Sequence, residues 1–151
     1  MHHFHSLKTT KVSKETNDCV HIAFAIPPEL RHEFTFKQGQ YINVRFLMGE
    51  EDLRRSYSIV NAPSEGNGDL EILVKHLDNG KVSTYLNQFL KLGDFVEVMG
   101  PSGHFYTHYH PSNEKNYIGL AAGSGISPVL SNLKEALYQE PLSSAYLFFS
   151  N

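Results

Sequence analysis

Through the first half of the chain, apolar residues recur at every second position, in short runs separated by turn formers, the period of half-buried strands. Val20, Ile22, Phe24 and Ile26 alternate with Cys19, His21, Ala23 and Ala25 until Pro27-Pro28 ends the run. Residues 41–47 alternate Ile42, Val44 and Phe46 with Asn43 and Arg45, residues 48–52 turn the chain, and 54–60 return as the second arm of a hairpin. The loop 61–69 is dense in turn formers, and 70–77 is a further strand. After Asp78-Asn79-Gly80 the spacing becomes helical, with Ser83-Thr84 as the N-cap and Tyr85, Leu86, Phe89 and Leu90 as the stripe. Residues 95–99 resume strand character, and Gly100-Pro101-Ser102-Gly103 breaks it. Short strands with one short helix predict a mainly β, antiparallel barrel or sandwich.

The rhythm then changes. A polar and aromatic stretch with a proline separates residues 1–107 from the rest, which makes 108–116 a linker. Residues 117–121 form a buried strand, Ala122-Gly123-Ser124-Gly125 a tight turn, and Ser127-Pro128 the cap and first position of a helix. Val129, Leu130, Leu133, Ala136 and Leu137 supply that helix's stripe, Pro141 closes it, and 145–149 is a second apolar strand. Residues 117–151 therefore carry one β-α-β unit.

Composition narrows the function classes. With 13 Lys+Arg against 16 Asp+Glu and a pI near 6.3, the chain lacks the basic balance of a nucleic-acid binder. Cys19 is the single cysteine, so this chain can form no internal disulfide and no thiolate-held zinc or iron–sulfur cluster. No apolar run reaches the length needed to cross a bilayer, and the N-terminus lacks a signal-peptide core, so a cytoplasmic location is expected. The histidines at 2, 3 and 5 read as a mobile terminus. Those at 104, 108 and 110 lack a carboxylate at ligand spacing, so no metal site is expected. Tyr106, Tyr109 and Tyr117 read as packing between segments.

Three elements carry chemistry. Arg55 and Tyr57 share one face of a strand, with Ser58 next along. A guanidinium fork pairs with phosphate oxygens, a phenol stacks on a fused ring, and a hydroxyl bonds a ring nitrogen. Lys81-Val82-Ser83-Thr84 follows Gly80 into a helix, whose opening attracts anions. Gly123-Ser124-Gly125-Ile126-Ser127 lies between a strand and a helix, where glycines let a dinucleotide phosphate approach, though the full G-x-G-x-x-G spacing is lacking. Alone, each has a plain reading as a surface strand pair, a helix cap or a turn.

Their order changes the balance. Together with Phe4-His5-Ser6-Leu7, Gly39-Gln40, 53–59, 98–105 and 121–128, they make the chain similar to the N-terminal part of the plant-type ferredoxin–NADP reductase family over essentially its whole length. Within that family the resemblance is to the reductases that serve phenylacetate degradation. The resemblance implies an antiparallel FAD-binding barrel in residues 1–107 and the first β-α-β unit of a nicotinamide-nucleotide domain that the chain does not complete. It implies that Arg55 contacts the FAD diphosphate, that Tyr57 packs on the isoalloxazine, and that Ser58 bonds near N5, with Tyr57 and Ser58 at the reacting centre. Backbone at Val74, Lys75 and His76 would line the cofactor, Lys81 to Thr84 would hold its phosphates, and Gly123 to Ser127 would receive NAD(P)H. Hydride would pass from NAD(P)H to FAD, then single electrons to a 2Fe-2S centre in another domain or partner, an oxygenase component or ferredoxin domain. The bare edge of the strand at 145–149 implies pairing with a second chain or packing on the barrel. The competing readings are a reductase of another hydroxylase or flavohaemoprotein, and a non-catalytic flavin-binding or interaction module.

Overall fold

The computed structural model describes residues 3–66 and 68–151; Met1, His2 and the Asn67 of the turn-rich loop lie outside them. Residues 4–102 form one antiparallel sheet of six strands: β1 (Phe4–Thr16), β2 (Cys19–Phe24), β3 (Tyr41–Met48), β4 (Glu51–Ser58), β5 (Leu70–Lys75) and β6 (Phe95–Ser102). Their order is β4-β3-β6-β1-β2-β5. The two outermost strands meet again through a single antiparallel bridge, Ile59 to Ile72, so the sheet curls into a barrel whose closing seam is almost unpaired.

The alternation explains the barrel's filling. Leu7, Val20, Ile22, Phe24, Ile42, Val44, Ile72 and Val98 are all buried on its inside. A side chain of this size contributes about 1.5–3 kcal/mol when fully buried. A one-turn helix and a longer one complete this part: α1 (Arg31–Phe34), which buries Phe34, and α2 (Lys81–Gln88), which buries Val82 and Leu86.

β1 has no counterpart among the strands that the sequence pattern predicts. Its first residues pair with β6 and its remainder with β2, so one long strand turns a barrel corner, with register shifts at Thr9/Lys11 and Lys14/Thr16. Thr9 pins that corner: its buried hydroxyl donates to the Lys91 carbonyl (2.9 Å) and accepts from the Gly93 N–H (2.9 Å). The expected mobile terminus is thereby corrected at His5, which lies within β1, 3.0 Å from the Glu33 carboxylate and edge-on to Phe34.

Two further boundaries of the barrel differ. β6 runs on through Gly100-Pro101 to Ser102, because its pairing with β3 jumps from Asn43–Met99 to Tyr41–Ser102; the bulge absorbs the proline. α2 begins at Lys81 with Gly80 as its cap residue, so Ser83 and Thr84 lie within the first turn and do not cap it. The Ser83 hydroxyl instead accepts from the Leu77 N–H (3.2 Å) and donates to the Gly80 carbonyl (3.1 Å), closing the loop before the helix.

Beyond the barrel, β7 (Asn116–Ala122), α3 (Ile126–Gln139) and β8 (Ser144–Ser150) form a parallel β-α-β unit. A short 3-10 turn, Gly123–Gly125, leads into α3, whose cap residue is Gly125; Ser127 is already inside the helix and buried. Gly119 lets α3 lie close on β7, since a Cβ there would sit 2.7 Å from Val129 and 2.9 Å from Leu133. The other side of the two strands is bare, with Ile118, Leu120, Tyr146 and Phe148 all exposed.

α3 also docks on the barrel through polar groups. The buried Ser131 hydroxyl donates to the Asn61 carbonyl (2.8 Å), the Asn132 amide donates to the Phe105 carbonyl (2.9 Å), and the Ser64 N–H donates to Glu135 (2.9 Å). Tyr109 reaches across to donate to the Asn132 carbonyl (3.0 Å), and Tyr106 lies under the Lys37 ammonium, so these rings pack between segments as expected. Among the described residues no helix is long and apolar enough to cross a membrane.

Candidate functional site at the barrel seam

Cross-strand partners in an antiparallel pair point to the same side. Arg55 and Tyr57 of β4 are paired with Val44 and Ile42 of β3, both fully buried, so they stand on the inward-facing side of the sheet. Tyr57 is half-buried against the core, whereas Arg55 is exposed. An inward-facing arginine reaches solvent here because β4 is an edge strand and the seam toward β5 is unpaired beyond the Ile59–Ile72 bridge. Burial pushes the Tyr57 phenol up to about 12, against a smaller opposing pull from the Arg55 guanidinium, so it stays a neutral donor.

The hairpin's arginines differ in their partners. Arg45 and Arg54 both bond Asp52, at 3.2 and 2.8 Å. Arg55 makes no ion pair among the described residues; its guanidinium donates to the Arg54 carbonyl at 2.7 Å. Ser58, the last residue of β4, is paired with Tyr41 and leaves the strand on the side opposite Tyr57. One flat molecule touches both residues only by lying across the strand's edge.

β5 and the start of α2 border the rest of the seam. The Val74 side chain is fully buried, and its carbonyl accepts from the Asn87 amide (3.0 Å), which ties α2 to β5. The His76 N–H donates to the Asp18 carbonyl (2.6 Å), and its ring Nε2 lies 3.1 Å from the Thr84 hydroxyl. Lys81 pairs with Glu51 at the start of β4, and Tyr85 packs on Phe46 with ring centroids 5.2 Å apart. α2 thus spans from β4 to β5 across the open end of the seam. Val82 is a core residue, so of the 81–84 turn it offers only backbone.

Lys75 points the other way. Its ammonium donates to Asn151 (2.9 Å), and it lines a cavity of about 220 Å³ between the barrel's outer wall and the β-α-β unit. Gly123, Ser124, Ile126 and Ser127 border that cavity, and a Cβ on Gly123 or Gly125 would meet nothing within 4 Å. The sequence candidates therefore fall into two groups, one at the seam and one at this cleft, with Lys75 between them. Two residues that the sequence pattern does not single out, Glu51 and Asn87, hold α2 in place. Asn87 had a signal, a polar residue adjoining a helix's buried Val82-Leu86 stripe; Glu51, in a charged turn, had none.

Residues 6–107 match the oxidoreductase FAD-binding domain family. Over 150 residues the chain is 39% identical to a component of the 1,2-phenylacetyl-CoA epoxidase of Escherichia coli K12, covering 98% of this chain and 41% of that protein. It is 34% identical over 134 residues to the ferredoxin reductase component of a Rhodococcus rhodochrous 3-ketosteroid-9-alpha-monooxygenase, covering 88% of this chain and 37% of that one. Among solved structures, phthalate dioxygenase reductase, described as a modular structure for electron transfer from pyridine nucleotides to [2Fe-2S], superposes with a TM-score of 0.77 at 28% identity, covering 98% of this chain and 44% of that one. The chain spans about two-fifths of the length of these relatives. With the barrel, its order of strands and this match in hand, the chain belongs to the ferredoxin reductase-like family of oxidoreductases defined by an FAD-binding domain.

Proposed function

We propose that this chain holds FAD along the seam between β4 and β5 and forms the flavin part of an NAD(P)H-dependent electron-transfer oxidoreductase. The observation that carries the reading is Arg55: a guanidinium with no carboxylate partner among the described residues, on the inward side of an edge strand, two residues from a half-buried phenol. Such an exposed, unneutralised cation is open to an anion, and a planar fork suits a phosphate. Tyr57 offers its ring to the isoalloxazine, and Ser58 its hydroxyl to the ring edge near N5. Val74, Lys75 and His76 contribute backbone, and Lys81, Val82, Ser83 and Thr84 surround the diphosphate at the opening of α2. Gly123, Ser124, Gly125, Ile126 and Ser127 receive the nicotinamide nucleotide, where bare glycines leave room for its phosphates.

Bound FAD supplies the two-electron to one-electron conversion; the residues named here bind and orient it. The relatives support an iron–sulfur centre feeding an oxygenase as the electron acceptor, in a ferredoxin domain or partner, and the Escherichia coli protein supports phenylacetate breakdown as the setting. Titration of the purified chain with FAD tests the reading. Saturable quenching of flavin fluorescence is expected, with Arg55→Met binding about 10-fold or more weakly, the loss of a charge-assisted hydrogen bond. A chain that leaves added FAD unbound overturns it.

A further inference from the structure

His5, His21 and His32 face carboxylates, whereas the rings of His76 and His110 face neutral hydroxyls. His110 lies 2.7 Å from Ser112, its neighbour in an exposed turn, while His76 lies 3.1 Å from Thr84 Oγ1 in the first turn of α2, beside the seam. Both partners are held. The His76 N–H donates to the Asp18 carbonyl, fixing the chain where β5 ends, and the Thr84 N–H donates to the Gly80 carbonyl (2.9 Å) within the first turn of α2. The Thr84 hydroxyl has no capping duty, since α2 has no side-chain cap.

A hydroxyl has one proton and two lone pairs, and a neutral imidazole nitrogen is either donor or acceptor. If His76 Nε2 accepts, the Thr84 proton is used on the ring and the hydroxyl can only accept elsewhere. If Nε2 carries the hydrogen, the ring fills a lone pair and the Thr84 proton is free. A diphosphate presents acceptors alone. Thr84 shares the outward arc of α2 with Lys81, three residues before it, and that arc borders the seam on which Arg55 lies. We propose that His76, as the Nε2–H tautomer, is a positioning residue that turns the Thr84 hydroxyl into a hydrogen-bond donor for the diphosphate of the cofactor. This inference rests on the reading that residues 81–84 hold that diphosphate.

The test titrates the wild-type chain, His76→Leu, His76→Gln, Thr84→Val and the His76→Leu/Thr84→Val double variant with FAD and with riboflavin, which lacks the diphosphate. Each single apolar variant is expected to bind FAD about 5–10-fold more weakly, the scale of one hydrogen bond. The double variant should lose no more than either single one, because the two residues act as a unit. Riboflavin affinity should not change, and His76→Gln, whose amide can donate in place of the ring, should recover FAD binding to within about 3-fold. If His76→Leu binds FAD as the wild type does, if FAD and riboflavin weaken equally, or if the two losses simply multiply, the inference is overturned. Should His76→Leu fail to fold, Thr84→Val and His76→Gln decide the same question. A wild-type chain that binds neither flavin brings down the cofactor reading itself, a separate outcome.

Discussion

Gly39 lies so close to Asn132 of α3 that a Cβ added to it would stand 2.4 Å from the Asn132 amide nitrogen and 2.0 Å from the Phe105 carbonyl oxygen. Its φ of +76° is also one that side chains rarely adopt. Its N–H donates to the buried Ser131 hydroxyl (3.3 Å), so the loop before β3, the segment after β6 and α3 all meet at this one glycine. Gly39→Ala should therefore loosen the barrel from the β-α-β unit and cost about 2–4 kcal/mol, combining left-handed strain with a backbone clash. Chemical denaturation checks this; a variant as stable as the parent means the contact relaxes freely.

Tyr57 should matter through its ring more than through its hydroxyl. It is packed against the core with its phenol held neutral, up to about 12, by burial and despite the nearby Arg55 charge. Tyr57→Phe is expected to keep FAD affinity within about 3-fold, whereas Tyr57→Ala should weaken it about 10-fold and raise the fluorescence of the bound flavin, as loss of an aromatic contact implies. Fluorescence titration separates the two. An alanine variant with unchanged affinity and spectrum excludes stacking.

The bare side of β7 and β8 should drive self-association. Leu120 is 72% exposed and Phe148 62% exposed, in adjacent register positions of a two-stranded sheet with open edges. An uncovered apolar face and an unpaired edge both favour pairing with a second copy. Sedimentation of the chain is expected to show concentration-dependent association that Leu120→Lys with Phe148→Lys reduces. A monomer unaffected by either concentration or substitution rules it out.

How far the sequence foretold the molecule depends on where the information sits. β2, β3 and β5 were legible because one face of each fills the barrel, and Ile42, Val44, Ile22 and Ile72 announce it at period two. β1 was not, since it fully buries only Leu7 and Thr9, and its partly buried Phe4 and Val12 are spread among charges and hydroxyls. A strand that turns a corner by a buried threonine leaves no hydrophobic rhythm. The helix starts were misplaced because Ser83 and Ser127 have the chemistry of caps, yet one closes a loop and the other is buried one residue inside its helix. For the site, Arg55 and Tyr57 could be assigned a common face from spacing alone. That this face opens on a seam depends on β4 being an edge strand, a property of the topology that no local pattern encodes. The pairing of His76 with Thr84 likewise arises only once the loop 76–80 folds back.

Glu140, at the end of α3, should make the β-α-β unit sensitive to acid. Its side chain is fully buried, which by itself raises a carboxyl's pKa, but four donors outweigh that: the Asn113 amide (2.6 Å), the His110 N–H (3.0 Å), the Tyr117 hydroxyl (2.8 Å) and the Ser143 hydroxyl (2.9 Å). The carboxylate is held down at about 2, from an ordinary 4.5. A pKa depressed by folding adds stability that is fully present above the unfolded value and fades as pH falls toward the folded one. The contribution is therefore intact above about 4.5 and lost progressively between 4.5 and about 2. Glu140→Gln removes the charge that all four donors share: its carbonyl can keep His110 and Asn113, but its NH2 then meets the Tyr117 and Ser143 hydroxyls, which must turn from donating to accepting. The variant should melt at a lower temperature than the parent at pH 7, and its melting temperature should fall less steeply between pH 4.5 and 2. Equal slopes for parent and variant across that interval would show that the acid sensitivity arises elsewhere in the chain.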